Sequence, residues 1–527
     1  MSQFAIYIDR LSRTPWLLAV AVILACFWQL GAGPLSGSSE APFAATTQAM
    51  LAQGSLLVPY ADGQPDYGTP PLGHWLQVVS ASVFGFNEAA LRLPSALAAA
   101  LLVVVVWRFG CKNLDEPTAI AAASALALSL GMSLFAKTAV ADAVAALFIA
   151  LACLETYRFS LAPNRAPLLR AYLWMALGFL TKGPIAVILP VLVSLAFCLS
   201  SGTLKTWLRG ALTAWGWLVF FLIAGPWMVA VYLSNGASLA EALFLEHNLK
   251  EFGGILAGQS GWFGYYLLIL PLILLPFTGW FVQLLQGVRQ GWADPLDRLL
   301  WLWFLCVFAV LSVLGGALSQ AMLYGMAPVF VLLARHRDLL VNRSLAFGPA
   351  IAVLVALFFL SEVLALTVGQ FDGPHLAALI AEVRERLDLV YYTTVLGCFG
   401  ALGFFWRWHE LRAWQGLLVV GLLQAILFNG VLMPRFHDAV QAPVKEAALL
   451  AKESGLPTVV YRTSRPGFDL YLGASVADRS PRAGDLVFLR IDKAADLTKE
   501  FPHLEMEERY QRGAFALIFL KRPGEPD

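Results

Sequence analysis

Lysines and carboxylates recur together at the ends of apolar runs in this sequence, where an ionisable side chain is costly. Lysine is a good partner for phosphate oxygens. A carboxylate accepts the proton of an attacking hydroxyl, or holds a divalent ion with a histidine. The combination indicates a site for an anionic head group. The residues concerned are Glu40, Asp62, Asp66, His74, Glu88, Lys137, Asp142, Lys182, Glu246, His247, Lys250, Glu251, Ser319, Gln320 and Tyr324.

Each of these residues also has a plain structural interpretation. A lysine at the end of a membrane span is usually an anchor that reaches toward water, which covers Lys137 and Lys182 taken singly. His74 is typical of an interfacial residue, and Glu246 with His247 is compatible with a solvated helix start. No motif here is as specific as a nucleotide-binding loop or a zinc site. The functional hypothesis therefore depends on where these residues meet in the fold.

Composition places the chain among polytopic membrane proteins. Of its 527 residues 59% are hydrophobic and only 13% are charged, against about 25% charged in soluble domains. The net charge of +1 gives no support to nucleic-acid binding. The six cysteines lie mostly inside apolar runs without short paired spacing, so we expect neither a disulfide framework nor a metal knuckle.

The apolar runs predict roughly thirteen membrane spans, since a span needs about 20 apolar residues. The first run follows Arg10 and Arg13 and lacks a convincing cleavage site, so we interpret it as a signal anchor. The predicted spans are about 16–33, 90–108, 118–136, 139–157, 170–182, 184–200, 211–233, 262–285, 299–316, 319–334, 346–369, 389–406 and 413–433.

The distribution of arginine and lysine predicts the orientation. With the N-terminus in the cytoplasm, sixteen basic residues fall in the inner loops and only six in the outer loops before the tail. This asymmetry predicts a cytoplasmic N-terminus and an odd number of spans. The loop after the first span and the C-terminal tail are then both outside the cytoplasm.

Two segments differ from the spans. The first outer loop, 34–90 within a membrane domain 1–435, predicts two amphipathic helices lying on the membrane surface. The tail, 436–527, predicts a small α/β domain with a helix at APVKEAALLAKESG and strands at TVVYR, DLVFLR and FALIFLK. The predicted apolar faces of the loop helices are Phe43, Thr47, Met50 and Leu51, then Trp75, Val78, Val79 and Val83.

The first loop resembles that of a known family. The run SSEAPFAATTQAMLAQGSLLVPYADGQPDYGTPPLGHWL, followed by GFNEAALRLPSAL, resembles the membrane glycosyltransferases of the GT-C class. The branch is that of protein O-mannosyltransferases and lipid A aminoarabinose transferases. The resemblance continues through FAKTAVAD, GFLTKGPIAVILP, AGPWMVAV, GYYLLILPLILLPFTGW and SQAMLY, and reaches FDLYLG in the tail. It therefore covers nearly the whole chain.

The resemblance implies an enzyme of the bacterial inner membrane with thirteen spans and a periplasmic tail. Such an enzyme moves a sugar from a polyprenyl-phosphate carrier in the bilayer to a lipid A, glycan or protein acceptor on the periplasmic side. It also implies roles for residues. The expected sets are Glu40 and Asp142 as catalytic carboxylates, Lys137, Lys182, Lys250 and Tyr324 at the donor phosphate, and Asp66, Glu246 and His247 around a divalent ion whose requirement is left open.

Several charged positions of the family differ here. Ser39 precedes Glu40 where the family has an Asp-Glu pair, Gly68 and Thr69 replace a Glu-Lys pair, and Gln320 replaces a lysine. We favour an active enzyme that has moved its catalytic carboxylate to Glu40 or Asp142. The alternatives are a degenerate homologue that binds the carrier without transfer, and a transporter or flippase for the same lipid.

Overall fold

The computed structural model describes residues 14–37, 39–54, 56–57, 59–61, 64–65, 70–235, 264–314, 319–368, 373–463, 466–474, 476 and 479–523. The α-helices are α1 Pro15–Val22, α2 Glu40–Gln53, α3 Leu72–Phe84, α4 Glu88–Asn113, α5 Glu116–Leu128, α6 Leu130–Phe135, α7 Asp142–Leu161, α8 Arg165–Lys182, α9 Ile185–Ser200, α10 Leu204–Ala211, α11 Ala214–Asn235, α12 Tyr265–Ile273, α13 Thr278–Leu285, α14 Val288–Gly291, α15 Pro295–Leu314, α16 Leu323–Arg335, α17 Arg343–Phe358, α18 Leu360–Val368, α19 Pro374–Glu385, α20 Leu389–Arg407, α21 Ala413–Ile426, α22 Met433–Val440, α23 Ala442–Ser454, α24 Pro466–Leu472 and α25 Ala494–Glu500.

Two π-helical segments extend α-helices, Ile23–Phe27 after α1 and Leu427–Leu432 between α21 and α22. Short 3₁₀ turns occur at Ser319–Met322, Arg337–Leu339 and Ile491–Lys493. The strands are β1 Tyr60–Ala61, β2 Gln64–Pro65, β3 Thr458–Tyr461, β4 Leu486–Arg490, β5 Glu505–Arg512 and β6 Phe515–Lys521.

A bundle of apolar helices forms most of the fold. Among the described residues, six helices are long and apolar enough to cross a membrane, or up to eight if each bent pair is one span. Three further apolar helices are shorter, for example Glu116–Leu128. The helical membrane architecture is confirmed. The count of thirteen spans stays a prediction, because several predicted spans are broken or short.

The clearest break separates α12 from α13, which meet at 117°. The chain turns at Leu275, whose carbonyl oxygen accepts hydrogen bonds from the Leu130 amide at 2.8 Å and from Gln424 Nε2 at 3.1 Å. Buried backbone polar groups must find such partners where no water is present. At this break, neighbouring helices therefore donate the hydrogen bonds that a continuous helix would have provided.

Two helices form in the first loop, as the sequence predicts, and they turn different kinds of face toward the protein. α3 buries Gly73, His74 and Gln77, whereas Val79 and Val83 are 63% and 68% exposed. The polar face contacts the protein because it carries hydrogen-bonding and small side chains. The apolar face is left outside, where a helix on a membrane surface needs it.

α2 turns part of its predicted apolar face toward the protein. Met50 and Thr47 are buried, whereas Leu51 is 37% exposed. The contact surface is shifted toward Ala41 and Ala44, which are fully buried. Alanines allow α2 to approach the neighbouring chain more closely than a stripe of larger side chains would.

The tail contains a four-stranded sheet in the order β3-β4-β6-β5. β3 pairs with β4 in parallel, and the other pairs are antiparallel. The buried strands β4 and β6 carry the apolar residues, as the sequence predicts, and Phe488 stacks on Phe468 of α24 at 4.3 Å between ring centroids. A domain boundary at residue 436 stays a prediction, since α22 runs on to Val440.

The tail and the first loop lie at the same end of the bundle, named here the first-loop end. The hydroxyl of Tyr471 accepts the Leu35 amide at 2.8 Å and donates to Glu88 at 3.1 Å. Lys445 pairs with Glu88 at 2.5 Å, and Leu470 packs in one cluster with Leu35. The tail therefore holds the chain segment that leads into α2.

Removal of the Tyr471 hydroxyl, which joins the tail to the first loop, has a measurable consequence. Tyr471→Phe keeps the ring but loses both hydrogen bonds, which are worth about 0.5–1.5 kcal/mol each. We expect faster amide hydrogen exchange over residues 34–54, measured by mass spectrometry in detergent. Tyr510→Phe, which loses a hydrogen bond to Glu446 elsewhere in the tail, should leave that exchange unchanged. Equal exchange in both variants would contradict a holding role for Tyr471.

Ion pairs join different loops at the opposite end of the bundle. Arg335 pairs with Asp294 at 2.7 Å, and Arg298 Nη1 donates to the Ser200 carbonyl at 2.9 Å. Arg170 reaches Glu155 at 2.9 Å. These arginines are among those that the charge asymmetry assigned to a common side of the membrane.

Candidate active site

Three side chains from three helices meet at the first-loop end. Lys182 Nζ lies 3.0 Å from Asp142 Oδ2, and the Tyr324 hydroxyl donates to Asp142 Oδ1 at 2.6 Å. The Asp142 side chain is 6% exposed, whereas that of Lys182 is 33% exposed. We name these residues the aspartate cluster. It contains a buried anion with a cation that a ligand can reach.

Helix ends position the aspartate cluster. Asp142 is the first residue of α7 and Lys182 is the last residue of α8, so the two antiparallel neighbours bring these ends together. A helix N-terminus stabilises an anion and a C-terminus stabilises a cation, typically by 0.3–1 kcal/mol. Tyr324 lies in the first turn of α16, where its carbonyl accepts a hydrogen bond from the buried indole of Trp303.

The start of α3 covers the aspartate cluster. A side chain on Gly73 would collide with Ala141, at 2.9 Å, so α3 contacts the residue just before Asp142. A Cβ atom on Gly183, directly after Lys182, would lie 3.7 Å from Pro70. The loop between α6 and α7 is therefore enclosed by the first loop on one side and by the bundle on the other.

Glu40 lies in a separate and fully occupied arrangement. Its Oε1 accepts from Arg92 Nε at 2.9 Å and from the Ala139 amide at 2.7 Å. Its Oε2 accepts from Arg92 Nη2 and from the Ser36 amide, both at 2.9 Å. Burial raises the pKa of the Glu40 carboxyl, but the hydrogen bonds and charge of Arg92 outweigh it and hold the pKa below its usual range.

This geometry makes Glu40 a clamp between the first loop and the chain before Asp142. The bidentate pair is nearly inaccessible, at 4% exposure for Arg92 and 3% for Glu40. Arg92 was not among the residues singled out from the sequence. A basic residue followed by Leu-Pro in an otherwise apolar span was the available signal, because such a charge needs a partner.

The clamp predicts an effect on stability. Glu40→Gln leaves Arg92 buried without a counter-charge, and breaking such a pair typically costs about 3–5 kcal/mol. We expect Glu40→Gln and Arg92→Met to lower the thermal midpoint of the purified protein by similar amounts. A Glu40→Gln variant with an unchanged midpoint and no transfer would instead support Glu40 as a catalytic carboxylate.

Lys137 does not join the aspartate cluster. Its Nζ donates to the Trp28 carbonyl at 3.1 Å, and it lines a cleft that also contains Glu40 and Arg92. Burial lowers the pKa of Lys137 to about 8, with Arg92 adding to the effect. Lys137 and Lys182 therefore have no common partner among the described contacts.

His74 is a buried link between the first loop and the bundle, not an interfacial side chain. Its ring stacks on Phe43 at 3.8 Å, and its Nδ1 lies 3.0 Å from the Thr47 hydroxyl. Thr47 donates to Gln77, whose amide donates to the Ala139 carbonyl at 3.1 Å. Burial lowers the pKa of His74 to about 3.

The low pKa of His74 predicts acid sensitivity. The unfolded chain binds a proton on this ring below pH 6.5, and the folded chain only below about pH 3. The contribution of neutral His74 to the free energy of unfolding is therefore complete above pH 6.5. It is lost as the pH falls toward 3, by at most about 1.4 kcal/mol per pH unit. His74→Gln should show a smaller fall of the thermal midpoint between pH 7 and pH 4.5 than the parent protein. Identical pH profiles would refute this source of acid sensitivity.

Several predicted site residues lie outside the described residues, namely Asp62, Asp66, Gly68, Thr69, Glu246, His247 and Lys250. Ser39 precedes α2 and makes no side-chain capping bond. Gln320 lies in the 3₁₀ turn before α16. Within the described ranges, no three His, Cys, Asp or Glu side chains come together as a metal site.

Comparisons with known proteins agree with this architecture. A sequence model of the family "Dolichyl-phosphate-mannose-protein mannosyltransferase" matches residues 68–229, which include Asp142 and Lys182. The crystal structure of ArnT from Cupriavidus metallidurans bound to undecaprenyl phosphate superposes with a TM-score of 0.78. That superposition covers 97% of this chain and 99% of ArnT, at 17% sequence identity.

The chain has the GT-C fold of ArnT. The apo structure of the same ArnT gives a TM-score of 0.74 at 18% identity, covering 95% of this chain and 97% of ArnT. The resemblance to membrane glycosyltransferases that the sequence predicts is confirmed.

Two sequence relatives carry the same description. "Undecaprenyl phosphate-alpha-4-amino-4-deoxy-L-arabinose arabinosyl transferase" of Aeromonas hydrophila is 27% identical over 483 aligned positions, which cover 88% of this chain and 86% of the relative. The protein of that description from Pseudomonas paraeruginosa is 28% identical, covering 91% of this chain and 93% of the relative. The similarity thus extends along nearly the whole of both chains.

Proposed function

We propose that this protein is a membrane glycosyltransferase that moves a sugar from an undecaprenyl-phosphate carrier to an acceptor on the periplasmic side of a bacterial inner membrane. The single observation that carries the proposal is the aspartate cluster under the start of α3. It places a buried carboxylate beside a partly exposed lysine in a GT-C fold. Lipid A, a glycan or a protein is the acceptor to be tested.

We assign the carrier phosphate to Lys182. Its side chain is 33% exposed and its ammonium group already lies next to an anion, so Lys182 can exchange Asp142 for phosphate oxygens at little geometric cost. Cationic stabilisation of the charge that develops on a leaving group is typically the largest catalytic effect. Lys250 stays a predicted second cation, whereas the contacts of Lys137 favour a different role.

We assign the catalytic carboxylate to Asp142. An acceptor hydroxyl attacks the anomeric carbon, the bond from that carbon to the carrier phosphate oxygen breaks, and undecaprenyl phosphate leaves with the electron pair. The hydroxyl proton passes to Asp142, which Lys182 has released on pairing with phosphate. Tyr324 holds Asp142 Oδ1 in place during this exchange. A phosphate acceptor would need no proton transfer.

Glu40 is less suited to that role. Four donors already saturate its two oxygens, and its charge balances Arg92. Releasing it would leave a buried guanidinium unpaired. We therefore propose that Glu40 supports the loop before Asp142. Asp66, Glu246 and His247 stay the predicted set for a divalent ion, and no step above passes through one.

The test is a transfer assay with the full chain in lipid nanodiscs. The first donor is undecaprenyl phosphate-α-4-amino-4-deoxy-L-arabinose, because the relatives bear that description. Other undecaprenyl-phosphate sugars and an envelope extract extend the panel, with and without divalent ions. Release of undecaprenyl phosphate together with a sugar-modified acceptor supports the proposal. Tight carrier binding without turnover under all of these conditions would overturn it in favour of a binding-only homologue.

A further inference from the structure

A second polar site lies beside the clamp and apart from the aspartate cluster. It is a cleft of about 460 Å³, counted with its open mouth, between the end of the first span, α6 and the last span. Its walls include Lys137, Ser133, Asn429 and His437, together with the Glu40–Arg92 pair. Neither Asp142 nor Lys182 lines it.

The two π-helical segments described above meet beside this cleft. Asn429 belongs to the second segment, and its Nδ2 donates to the Leu24 carbonyl of the first segment at 3.1 Å. Gln29, just after the first segment, has a φ of 55°, which is strained for a residue with a side chain. π-helical turns are rare and occur frequently at functional sites, and strained residues cluster there.

Three polar atoms in the cleft have no hydrogen-bond partner within the part of the chain that the structure describes, namely Ser133 Oγ, Asn429 Oδ1 and His437 Nδ1. Ser133 and Asn429 are only 3% and 1% exposed. Asn429 lines the cleft, and because its amide nitrogen donates to Leu24, its oxygen is the atom that a ligand can satisfy. His437 Nδ1 serves as a donor or as an acceptor, according to which ring nitrogen carries the proton.

The chemistry of these groups selects the ligand. Glu40 neutralises Arg92, so Lys137 leaves the cleft with a net positive charge that disfavours a cation. The bare Asn429 Oδ1 can only accept a hydrogen bond, which disfavours an anion. Hydroxyl groups donate to Asn429 and accept from Lys137, and Ser133 and His437 serve in either direction.

We propose that this cleft is a binding site for a neutral polyhydroxyl group, the chemistry of an uncharged sugar face. Its ligand is part of the donor sugar, part of a glycosylated acceptor, or a free polyol. The inference does not rest on the proposed transfer reaction, since binding is measured without turnover.

The test is saturation-transfer NMR on the full chain in nanodiscs, with methyl α-D-mannopyranoside, methyl β-L-arabinopyranoside and myo-inositol as probes. Inorganic phosphate and choline are the charged comparison probes. We expect binding of at least one neutral probe, and no displacement of it by phosphate or choline. Ser133→Ala should weaken that binding about 2- to 10-fold, the value of one hydrogen bond. Asn429→Leu should weaken it further.

The design separates the possible results. Asp142→Asn is the comparison variant and should retain probe binding, because Asp142 does not line the cleft. Displacement by the undecaprenyl-phosphate sugar, by lipid A or by neither assigns the ligand to donor, acceptor or free polyol, and each of these supports the site. No binding of any neutral probe, unchanged binding in the folded Ser133→Ala variant, or preferential binding of phosphate or choline would overturn it.

Discussion

Asp142→Asn is expected to reduce transfer about 10²- to 10⁴-fold while the protein stays folded. The amide removes a proton acceptor of a kind that contributes this much in general-base catalysis. It retains the size of the side chain and its bond to Tyr324, 2.6 Å long in the parent. The measurement is the initial rate of undecaprenyl phosphate release in nanodiscs at saturating acceptor, with the thermal midpoint recorded for each variant.

Glu155→Gln is the matched control for Asp142→Asn. Glu155 is also a buried carboxylate on α7, 5% exposed, but it pairs with Arg158 and Arg170 at the opposite end of the bundle. Its variant should lose some stability and keep its turnover per folded molecule. If Asp142→Asn and Glu155→Gln reduce turnover equally, Asp142 has only a structural role.

Lys182→Gln is expected to weaken binding of undecaprenyl phosphate about 10- to 150-fold. That range corresponds to the loss of one charge-assisted hydrogen bond of 1.5–3 kcal/mol. Transfer should fall with it, because the leaving phosphate loses its cation. Binding is measured by titrating the carrier into nanodiscs that hold the purified variant.

Two further lysine variants make this result specific. Lys182→Arg restores a cation at the same place and should recover most of the carrier affinity. Lys205→Met removes an exposed charge on α10, near the opposite end, and should change nothing. If Lys182→Gln binds the carrier as tightly as the parent protein, the assignment of the phosphate to Lys182 is wrong and Lys250 is favoured instead.

The sequence was informative where ionisable residues interrupt apolar runs. Asp142, Lys182 and Tyr324 were singled out because a charge or hydroxyl at a span end needs a reason, and the structure brings these three together. The strands β3, β4 and β6 of the tail follow from alternating and continuous apolar patterns, whereas β5, Glu505–Arg512, was not predicted because its residues are mostly charged. The helical membrane architecture follows from hydropathy alone.

Pairing and orientation were less predictable. From the sequence alone, several basic residues are possible partners for Glu40. Only the packing of α2 on α4 selects Arg92. The exposed apolar face of α3 agrees with a helix on a membrane surface, whereas α2 buries part of its predicted apolar face against the protein. Asn429 was not predicted as a site residue. A polar side chain inside a membrane span is costly, and its presence there indicates a functional or structural partner.

The apolar face of α3 also bears on how reactants arrive. Val79, Val83 and Phe84 are each more than 60% exposed beside the chain that covers Asp142. We expect this face to enter the outer leaflet, where it would anchor the loop before Asp142 at the depth where the head groups of lipid carriers diffuse. Encounter is then a two-dimensional search, and the reaction rate follows the mole fraction of carrier in the membrane, not its amount per volume of buffer. Diluting the carrier with inert phospholipid would slow this enzyme even when both total concentrations are held constant.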